Sequence, residues 1–289
     1  MNHPQAPRKI GRRTAIRQLA VAAAGAVAFS KTGLASEVGS ETRTGIIDAH
    51  VRIGTGVHLR QDVDALLRAM DEAGVSVAVA CPMDRHFAVA NREGNELVLK
   101  AVAAHTDRLA GMAVANPWFG PAAAEEVRRA LERGLLGVAL DPTVQGFRLS
   151  DHLLDPLLQA AADFRVPVYA PTGTAGLAEP FHLIELARRF PGVSFIMGHG
   201  GASDYYNDAV RGLEFASNVW LETSRNGPAN YALWKRSGVT DRVVFGSGAP
   251  EYIPAVELEN LRDVFTEPAD REKICGGTIR QVFRGRLPA

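Results

Sequence analysis

Residues 46–52 read IIDAHVR, an apolar run in which ionisable side chains occupy every second position. In a regular strand such positions point to the same side, so we expect Asp48, His50 and Arg52 to share one face. A doubly wound nucleotide-binding sheet usually carries a glycine-rich phosphate turn after its first strand, and this segment contains none. The segment therefore favours a different α/β fold, with polar chemistry at the end of its first strand.

The rest of the chain alternates short β-branched apolar runs with longer amphipathic stretches, as parallel strands and crossover helices do. Eight strands are predicted, at residues 45–51, 75–81, 109–115, 136–140, 166–170, 193–197, 218–221 and 242–245. Helices are predicted between them, for example at 62–72, 122–133 and 177–190. Eight strands that are each followed by a helix close a barrel. The predicted fold is therefore an α/β domain, a (β/α)8 TIM barrel over residues 45–289.

The N-terminal 35 residues are typical of a targeting signal. A basic region ends at Arg12 and Arg13, and the small apolar stretch 19–29 follows it. Eleven residues are too few to span a bilayer. The arginine pair indicates the twin-arginine export route, with an ordinary secretory signal or a basic tail as the alternatives. We predict a signal peptide at 1–35, a linker at 36–44, and a periplasmic or extracellular mature protein with no membrane span.

Charge and cysteine content restrict the partners of the mature protein. Of 32 basic residues, six lie in positions 1–35, which contain no acidic residue, so 26 basic residues face 32 acidic ones afterwards. The absence of a cationic run predicts no nucleic-acid partner and a small-molecule ligand. The chain has two cysteines, Cys81 and Cys275, without metal-ligand spacing. Two buried free thiols are favoured over one disulfide.

Reacting groups in a barrel of this kind lie at the carboxyl ends of the strands. We predict that His50, His199 and Arg52 are catalytic. Five further polar residues at strand ends or in the loops after them are predicted to bind substrate: Asp84, Asp141, Glu222, Arg225 and Ser247. The alternative for the histidines is hydrogen-bonded packing, and the alternative for Arg52 is a salt bridge to a neighbouring carboxylate.

Four segments resemble the amidohydrolase-related family, a group of TIM-barrel metal-dependent hydrolases. Residues 46–52 resemble its first-strand motif, in which two histidines one residue apart bind metal. Residues 166–173 (VPVYAPTG), 195–201 (FIMGHGG) and 242–250 (RVVFGSGAP) resemble its fifth-, sixth- and eighth-strand motifs. Because the four segments keep the family's order and spacing, the resemblance implies the same barrel over nearly all of residues 45–289.

Carried over position by position, the resemblance implies a degenerate metal site. His50 and His199 match metal-binding histidines, but Arg52, Pro171 and Gly248 replace two histidines and an aspartate. In the family this aspartate typically also accepts a proton from metal-bound water. Proline and glycine offer no side-chain ligand, and arginine offers only donors. Since catalytic zinc normally has three protein ligands, we predict no cofactor; a divalent metal such as zinc, held in a rebuilt site, is disfavoured.

Three hypotheses for the function follow. The first is an exported hydrolase or lyase that acts without a metal on a small carboxylated or lactone-type substrate. In it, Arg52 binds the anion while His50 or His199 transfers a proton. The second is a non-catalytic barrel that binds a ligand or a partner protein. The third is a metal-dependent hydrolase or decarboxylase with a rebuilt metal site. The resemblance further implies a homodimer.

Overall fold

The structure is a computed structural model that describes residues 45–202 and 204–289. The predicted signal peptide and linker, residues 1–44, lie outside these described residues. Within the described part of the chain, no helix is both long and apolar enough to cross a lipid bilayer. Cys81 and Cys275 are both buried and free, as the sequence predicts.

Nine strands form one sheet, and eight of them run parallel. They are β1 (Ile46–Thr55), β2 (Arg60–Gln61), β3 (Val75–Pro82), β4 (Leu109–Ala113), β5 (Gly137–Ala139), β6 (Val168–Pro171), β7 (Phe195–Gly198), β8 (Val219–Glu222) and β9 (Val243–Val244). The exception, β2, is a two-residue strand that pairs antiparallel with the end of β1. Each of the other eight overlaps a predicted strand, so the predicted α/β TIM-barrel fold is confirmed.

The barrel closes between β1 and the chain that follows β9. The main-chain N–H of Ala49 donates to the carbonyl of Phe245 over 2.9 Å, and that of Arg52 donates to the carbonyl of Ala249 over 2.7 Å. These hydrogen bonds hold the first strand beside the last one. Side chains from the two ends of the described chain can therefore contribute to one site.

The helices follow the strands, and some of them begin and end at favourable capping residues. They are α1 (Val63–Ala73), α2 (Asp84–Ala88), α3 (Asn91–Ala104), α4 (Pro121–Glu132), α5 (Pro142–Gln145), α6 (Asp155–Phe164), α7 (Pro180–Arg189), α8 (Tyr206–Gly212), α9 (Pro228–Arg236), α10 (Pro254–Val264), α11 (Pro268–Glu272) and α12 (Thr278–Val282). For example, Asp62 accepts from the N–H of Ala65 at the start of α1, and Gly74 ends that helix at a φ of 72°. A left-handed residue at this position is the usual way to end a helix.

Two apolar layers hold the barrel and its helices together. The inner layer fills the barrel and includes Val79 and Met112, and the outer layer packs the strands against the helices through residues such as Leu66 and Val127. All four of these side chains are fully buried. Burial of an aliphatic side chain stabilises a fold by roughly 1.5–3 kcal/mol. The two layers therefore stabilise the barrel whose strand ends carry the polar residues.

A bulge in β1 changes the direction of its polar side chains. The register between β1 and β3 shifts between Asp48 and Val51. Ala49 belongs to the inner layer and Val51 to the outer layer, while the ring of His50 stacks on an inner-layer tyrosine. His50 and Arg52 therefore point into the barrel, and Asp48 points to its outer side. The expectation that all three share one face is wrong, because the extra residue of a bulge interrupts strict alternation.

Candidate active site

Arg52 is held at the mouth of the barrel by Asp141. Its Nη2 donates to Oδ2 of Asp141 over 2.7 Å, and the guanidinium lies over the ring of Phe87 at 5.3 Å. The other carboxylate oxygen of Asp141 accepts from the N–H of Val144 at the start of α5, so both oxygens are fixed. Burial lowers the pKa of Arg52, but the carboxylate of Asp141 outweighs burial and raises it above its ordinary value. The guanidinium is therefore charged and immobilised.

His50 lies deeper in the barrel, with only 2% of its surface exposed. Its ring stacks on Tyr169 with the centroids 4.0 Å apart, and its Nε2 lies 3.4 Å from Sγ of Cys81. Burial holds the pKa of His50 well below its usual value, and the charge of Arg52 lowers it further. Burial also raises the pKa of Cys81 to about 12. The His50–Cys81 pair is consequently uncharged near neutral pH.

A second group of side chains forms a hydrogen-bonded chain of three residues, which we call the His–Ser–Glu chain. Nδ1 of His199 lies 2.8 Å from Oγ of Ser224, and the same hydroxyl donates to Oε2 of Glu222 over 2.8 Å. Glu222 also accepts the main-chain N–H of His199 at 3.0 Å and that of Ser224 at 2.7 Å. Both oxygens of this fully buried carboxyl are therefore bound by donors.

The backbone conformation after β7 places the His199 side chain in the His–Ser–Glu chain. His199 has a φ of 61°, in the left-handed region, and Gly200 follows it with a φ of 49°. A Cβ atom at Gly200 would lie 2.5 Å from the ring of Trp234, so no other residue fits there without a shift. The side chain of Asn226 donates to the carbonyl of His199 over 2.8 Å and holds the turn. Such strain at a strand end is typical of functional sites.

Burial and nearby charges give the two ends of the His–Ser–Glu chain unusual acidities. Burial lowers the pKa of His199 to about 3, with Arg52 and Arg225 adding to the effect and a hydrogen bond with the main chain of Ser224 opposing it. Burial raises the pKa of Glu222 to about 8, although the hydrogen bonds it accepts act in the opposite direction. The chain thus connects a neutral imidazole to a carboxyl group that titrates near neutral pH.

Two of the predicted substrate-binding residues, Asp84 and Ser247, lie apart from these two groups. A third, Arg225, is near enough to His199 for its charge to lower the pKa of that ring. Asp84 begins α2 and accepts the N–H of Val57, which ties two loops of the mouth together. Ser247 donates its N–H to Asp48 on the outer side of the barrel. Arg225 is exposed, with a φ of 63°. Five of the predicted residues do take part in these groups. Arg52 pairs with Asp141, and His199 contacts Glu222. The fifth, His50, lies between Tyr169 and Cys81, which were not predicted.

The sequence-based selection missed Ser224, Tyr169 and Cys81. Ser224 follows Glu222 by two positions at the end of β8, and this spacing is a detectable signal because it places both residues at the mouth. Tyr169 and Cys81 lie within the apolar runs of β6 and β3, where sequence alone shows them as core residues. Their contacts with His50 depend on how the strands are arranged around the barrel.

Comparison with known proteins identifies the family. Residues 47–285 match the family model described as Amidohydrolase. The chain therefore belongs to the amidohydrolase family, as the four sequence segments imply. A search of curated proteins returned no match.

Solved structures of this family's fold resemble the chain at low sequence identity. A dihydroxybenzoic acid decarboxylase from Polaromonas sp., with bound manganese, has a TM-score of 0.65 and 17% identity over 83% of this chain and 97% of its own. A 5-carboxyvanillate decarboxylase from Novosphingobium aromaticivorans, complexed with manganese, has a TM-score of 0.65 and 18% identity over 85% and 97% of the two chains. A probable 2-pyrone-4,6-dicarboxylic acid hydrolase from Acinetobacter baumannii has a TM-score of 0.62 and 16% identity over 83% and 99%.

The prediction that the site uses no cofactor is contradicted by these neighbours. Two of them were crystallised with manganese in the same fold, at 17% and 18% identity to this chain. The prediction rested mainly on the positions where a family ligand is replaced, and it disfavoured a metal held in a rebuilt site. The mouth of a barrel receives loops from eight strands, and these loops can supply ligands from other positions. Proteins of this fold thus bind manganese, and replaced motif positions alone are no basis for predicting that a metal is absent.

The described residues of this chain do not fit a divalent metal in this arrangement. Among residues 45–202 and 204–289, no group of three or more His, Cys, Asp and Glu side chains is placed to hold one. His50 has a buried Nδ1 without a hydrogen-bond partner, but this nitrogen alone offers one metal ligand. The carboxylate of Asp141 is already bound to Arg52, whose charge would repel a cation.

Proposed function

We propose that the protein is an exported enzyme that hydrolyses a small carboxylated lactone or ester, with Arg52 binding the carboxylate and His199 accepting a proton. The observation that supports it most is the immobilised guanidinium of Arg52 at the mouth of an amidohydrolase-family barrel, near enough to His199 for its charge to lower the pKa of that ring. The family and the carboxylated compounds named for the neighbouring structures are consistent with this substrate class. Export rests on the N-terminal sequence alone.

Arg52 has donors available for a substrate. Asp141 takes only Nη2, and among the described residues neither Nε nor Nη1 of Arg52 makes a hydrogen bond. A guanidinium presents five N–H donors in a planar fork, which matches the two oxygens of a carboxylate. The side chain is 21% exposed, so a ligand that enters the mouth can reach it. Asp141 holds the fork in one orientation and thereby reduces the entropy that binding must remove.

His199 supplies the group that accepts the proton. Its Nδ1 faces Ser224, so Nε2 lies on the opposite edge of the ring. Because the pKa of His199 is lowered to about 3, the ring is unprotonated near neutral pH and has a lone pair for a proton from an attacking water. The positive charge of Arg52 also favours the negative charge that develops on the substrate during attack.

A substrate screen tests the proposal. We would incubate the mature protein with γ- and δ-lactones that carry a carboxylate, and with the same lactones in which a carboxamide replaces the carboxylate. Turnover of the acids that exceeds turnover of the amides is expected, and Arg52→Gln should lower kcat/KM for the acids by roughly 10- to 100-fold. Each assay is run on chelator-treated protein and on protein reloaded with Mn²⁺, so the result does not depend on the metal content.

Three results would contradict the proposal. Binding of the carboxylated lactones without turnover in either metal state would indicate the non-catalytic barrel. Release of carbon dioxide from aromatic acids, with no lactone hydrolysis, would indicate a lyase. Equal turnover of acids and amides would remove the role of Arg52. Arg128→Gln is the matched control, since Arg128 forms an exposed ion pair with Asp163 on the helices outside the barrel and should leave kcat/KM unchanged.

A further inference from the structure

Ser224 occupies space that Gly248 leaves open. Gly248 has a φ of 71°, and a Cβ atom built on it would lie 3.2 Å from Cβ and 3.3 Å from Oγ of Ser224. This is the position where the family resemblance places an aspartate that accepts a proton. A longer side chain at this position would meet the serine hydroxyl that contacts His199. The absence of a side chain at position 248 and the His–Ser–Glu chain are thus two parts of one arrangement.

The numbers of donors and acceptors define the direction of the hydrogen bonds in the His–Ser–Glu chain. The hydroxyl of Ser224 has one hydrogen, and it donates that hydrogen to Glu222 when the carboxyl is ionised. Its oxygen can then only accept from Nδ1 of His199, which lies 2.8 Å away. Nδ1 therefore carries the imidazole proton while Glu222 is ionised. Because burial raises the pKa of Glu222 to about 8, this is the major state only above that pH. The lone pair is on Nε2, the nitrogen on the opposite edge of the ring.

From this geometry we propose that Glu222, acting through Ser224, is the final proton acceptor for His199 and replaces the eighth-strand aspartate of the family. This inference rests on the proposed function. Ser224 and Glu222 do not touch the substrate, so they are positioning residues that also conduct the proton. The substrate contacts remain those of Arg52 and His199.

The proton transfer balances without any further reactant. Nε2 of His199 takes a proton from the attacking water as the water oxygen forms its bond to the substrate carbonyl carbon. Nδ1 of His199 releases its proton to Oγ of Ser224, and Oγ releases its own proton to Oε2 of Glu222. The imidazole and the hydroxyl end neutral. One proton has moved from water to the buried carboxylate, and it returns along the same path to the leaving alkoxide.

The surrounding charges favour this route over a simple histidine base. A protonated His199 would carry a positive charge close to the two arginines, Arg52 and Arg225, that already lower its pKa. Passing the second ring proton to Ser224 avoids that charge. Glu222 gains a proton in a buried site, where the neutral form of a carboxyl is favoured over the charged form. The surroundings of both His199 and Glu222, the two ends of the His–Ser–Glu chain, therefore favour proton transfer toward Glu222.

A first experiment measures the tautomer of His199 and needs no substrate. Histidine-selective ¹⁵N NMR is recorded at about pH 9, above the pKa of Glu222, with His199→Gln used to assign the signal. The proposal predicts a protonated Nδ1 and an unprotonated Nε2 in the wild type. It predicts loss of this preference in Ser224→Ala and in Glu222→Gln. A protonated Nε2 in the wild type, or a preference unchanged in both variants, would overturn the proposal.

A second experiment uses the substrate found by the screen. Ser224→Ala and Glu222→Gln are expected to lower kcat by roughly 100-fold or more with little change in KM, because proton transfer contributes that much to the rate. Ser224→Thr keeps the hydroxyl and should recover most of kcat. Ser194→Ala, at the start of the neighbouring strand, is the control for serine removal. Thermal unfolding identifies any variant that does not fold.

The two proposals fail in different ways. If the wild type hydrolyses a carboxylated lactone while both Glu222→Gln and Ser224→Ala keep their full kcat, the relay is wrong and the proposed function stands. If no substrate is found, the proposed function fails, and the tautomer measurement still decides whether Ser224 and Glu222 orient His199.

Discussion

Nη2 of Arg52 lies 2.7 Å from Oδ2 of Asp141, although the two residues are 89 positions apart in the sequence. The ion pair joins the end of β1 to the start of α5 across the mouth of the barrel. Asp141 both caps its helix and orients the guanidinium, so its two oxygens have separate tasks. Capping of the helix and orientation of the guanidinium can therefore be measured independently.

Asp141→Asn should raise KM for a carboxylated substrate by about 10-fold and leave the fold intact. Asparagine is as good an N-cap as aspartate, so the start of α5 is kept, while the charge that immobilises Arg52 is lost. Loss of about 1.4 kcal/mol of binding corresponds to the 10-fold change. Steady-state kinetics and thermal unfolding are the measurements. Asp163→Asn removes an exposed partner of Arg128 in the same way and is the control. Equal KM values for Asp141→Asn and the wild type would show that Arg52 needs no orientation.

The stability of the protein should fall as the pH rises above 6.5. Burial raises the pKa of Asp48 to about 6, of Glu257 to about 7 and of Glu222 to about 8, so the folded protein binds more protons than the unfolded chain above pH 4.5. The lowered pKa values of His50 and His199 act in the opposite direction, and this effect fades as the pH rises above 6.5, the ordinary histidine pKa. Between pH 6.5 and 8 the effect of the carboxyls is therefore the larger one. Each then lowers the free energy of unfolding by at most roughly 1.4 kcal/mol per pH unit.

Urea unfolding at a series of pH values measures this slope. Glu257→Gln removes one of the three carboxyls and should flatten the curve between pH 6.5 and 8. Glu259→Gln is exposed on the same helix, α10, and should leave the slope as it is in the wild type. A free energy of unfolding that rises with pH in this window would contradict the raised pKa values of these buried groups.

Restoring the aspartate of the family at position 248 should destabilise the protein. Gly248→Asp places a side chain at a φ of 71° and against Ser224, whereas Gly238→Asp does so at a φ of 69° with nothing within 4 Å. The left-handed backbone alone costs about 1 kcal/mol, and crowding adds about 1–3 kcal/mol at position 248 only. The difference in free energy of unfolding between the two variants therefore measures the crowding. Equal values would mean that Ser224 moves away freely.

Export should depend on the arginine pair. Replacing Arg12 and Arg13 together with lysine keeps the charge but removes the feature that indicates the twin-arginine route. The precursor is then expected to accumulate in the cytoplasm of a bacterial host, as it should in a host that lacks the twin-arginine translocase. Arg17→Lys is the control for a basic residue outside the pair. Immunoblots of periplasmic and cytoplasmic fractions read the result. Unchanged export of the double variant would indicate an ordinary secretory signal.

The barrel could be predicted from the sequence because the signals for its strands and helices are local. Each β-branched run and each amphipathic stretch identifies one strand or helix, and their alternation indicates a parallel α/β sheet. The lack of a glycine-rich turn after the first strand and the four family-like segments favour the closed barrel over an open sheet. His50, Arg52, His199 and Glu222 were likewise found as polar residues at strand ends. Their position at the mouth follows from the fold class alone.

Only the tertiary structure decided how those residues are connected. The bulge in β1 turns Asp48 outward and keeps His50 and Arg52 inside, and it depends on how β1 pairs with β3. Contacts such as that between His199 and Ser224 depend on the register of neighbouring strands, to which distant segments contribute. Local sequence specifies which residues form a strand, because propensity and periodicity are properties of neighbours in the chain. The pairing of side chains across the mouth is set by barrel closure, which depends on the packing of the whole domain.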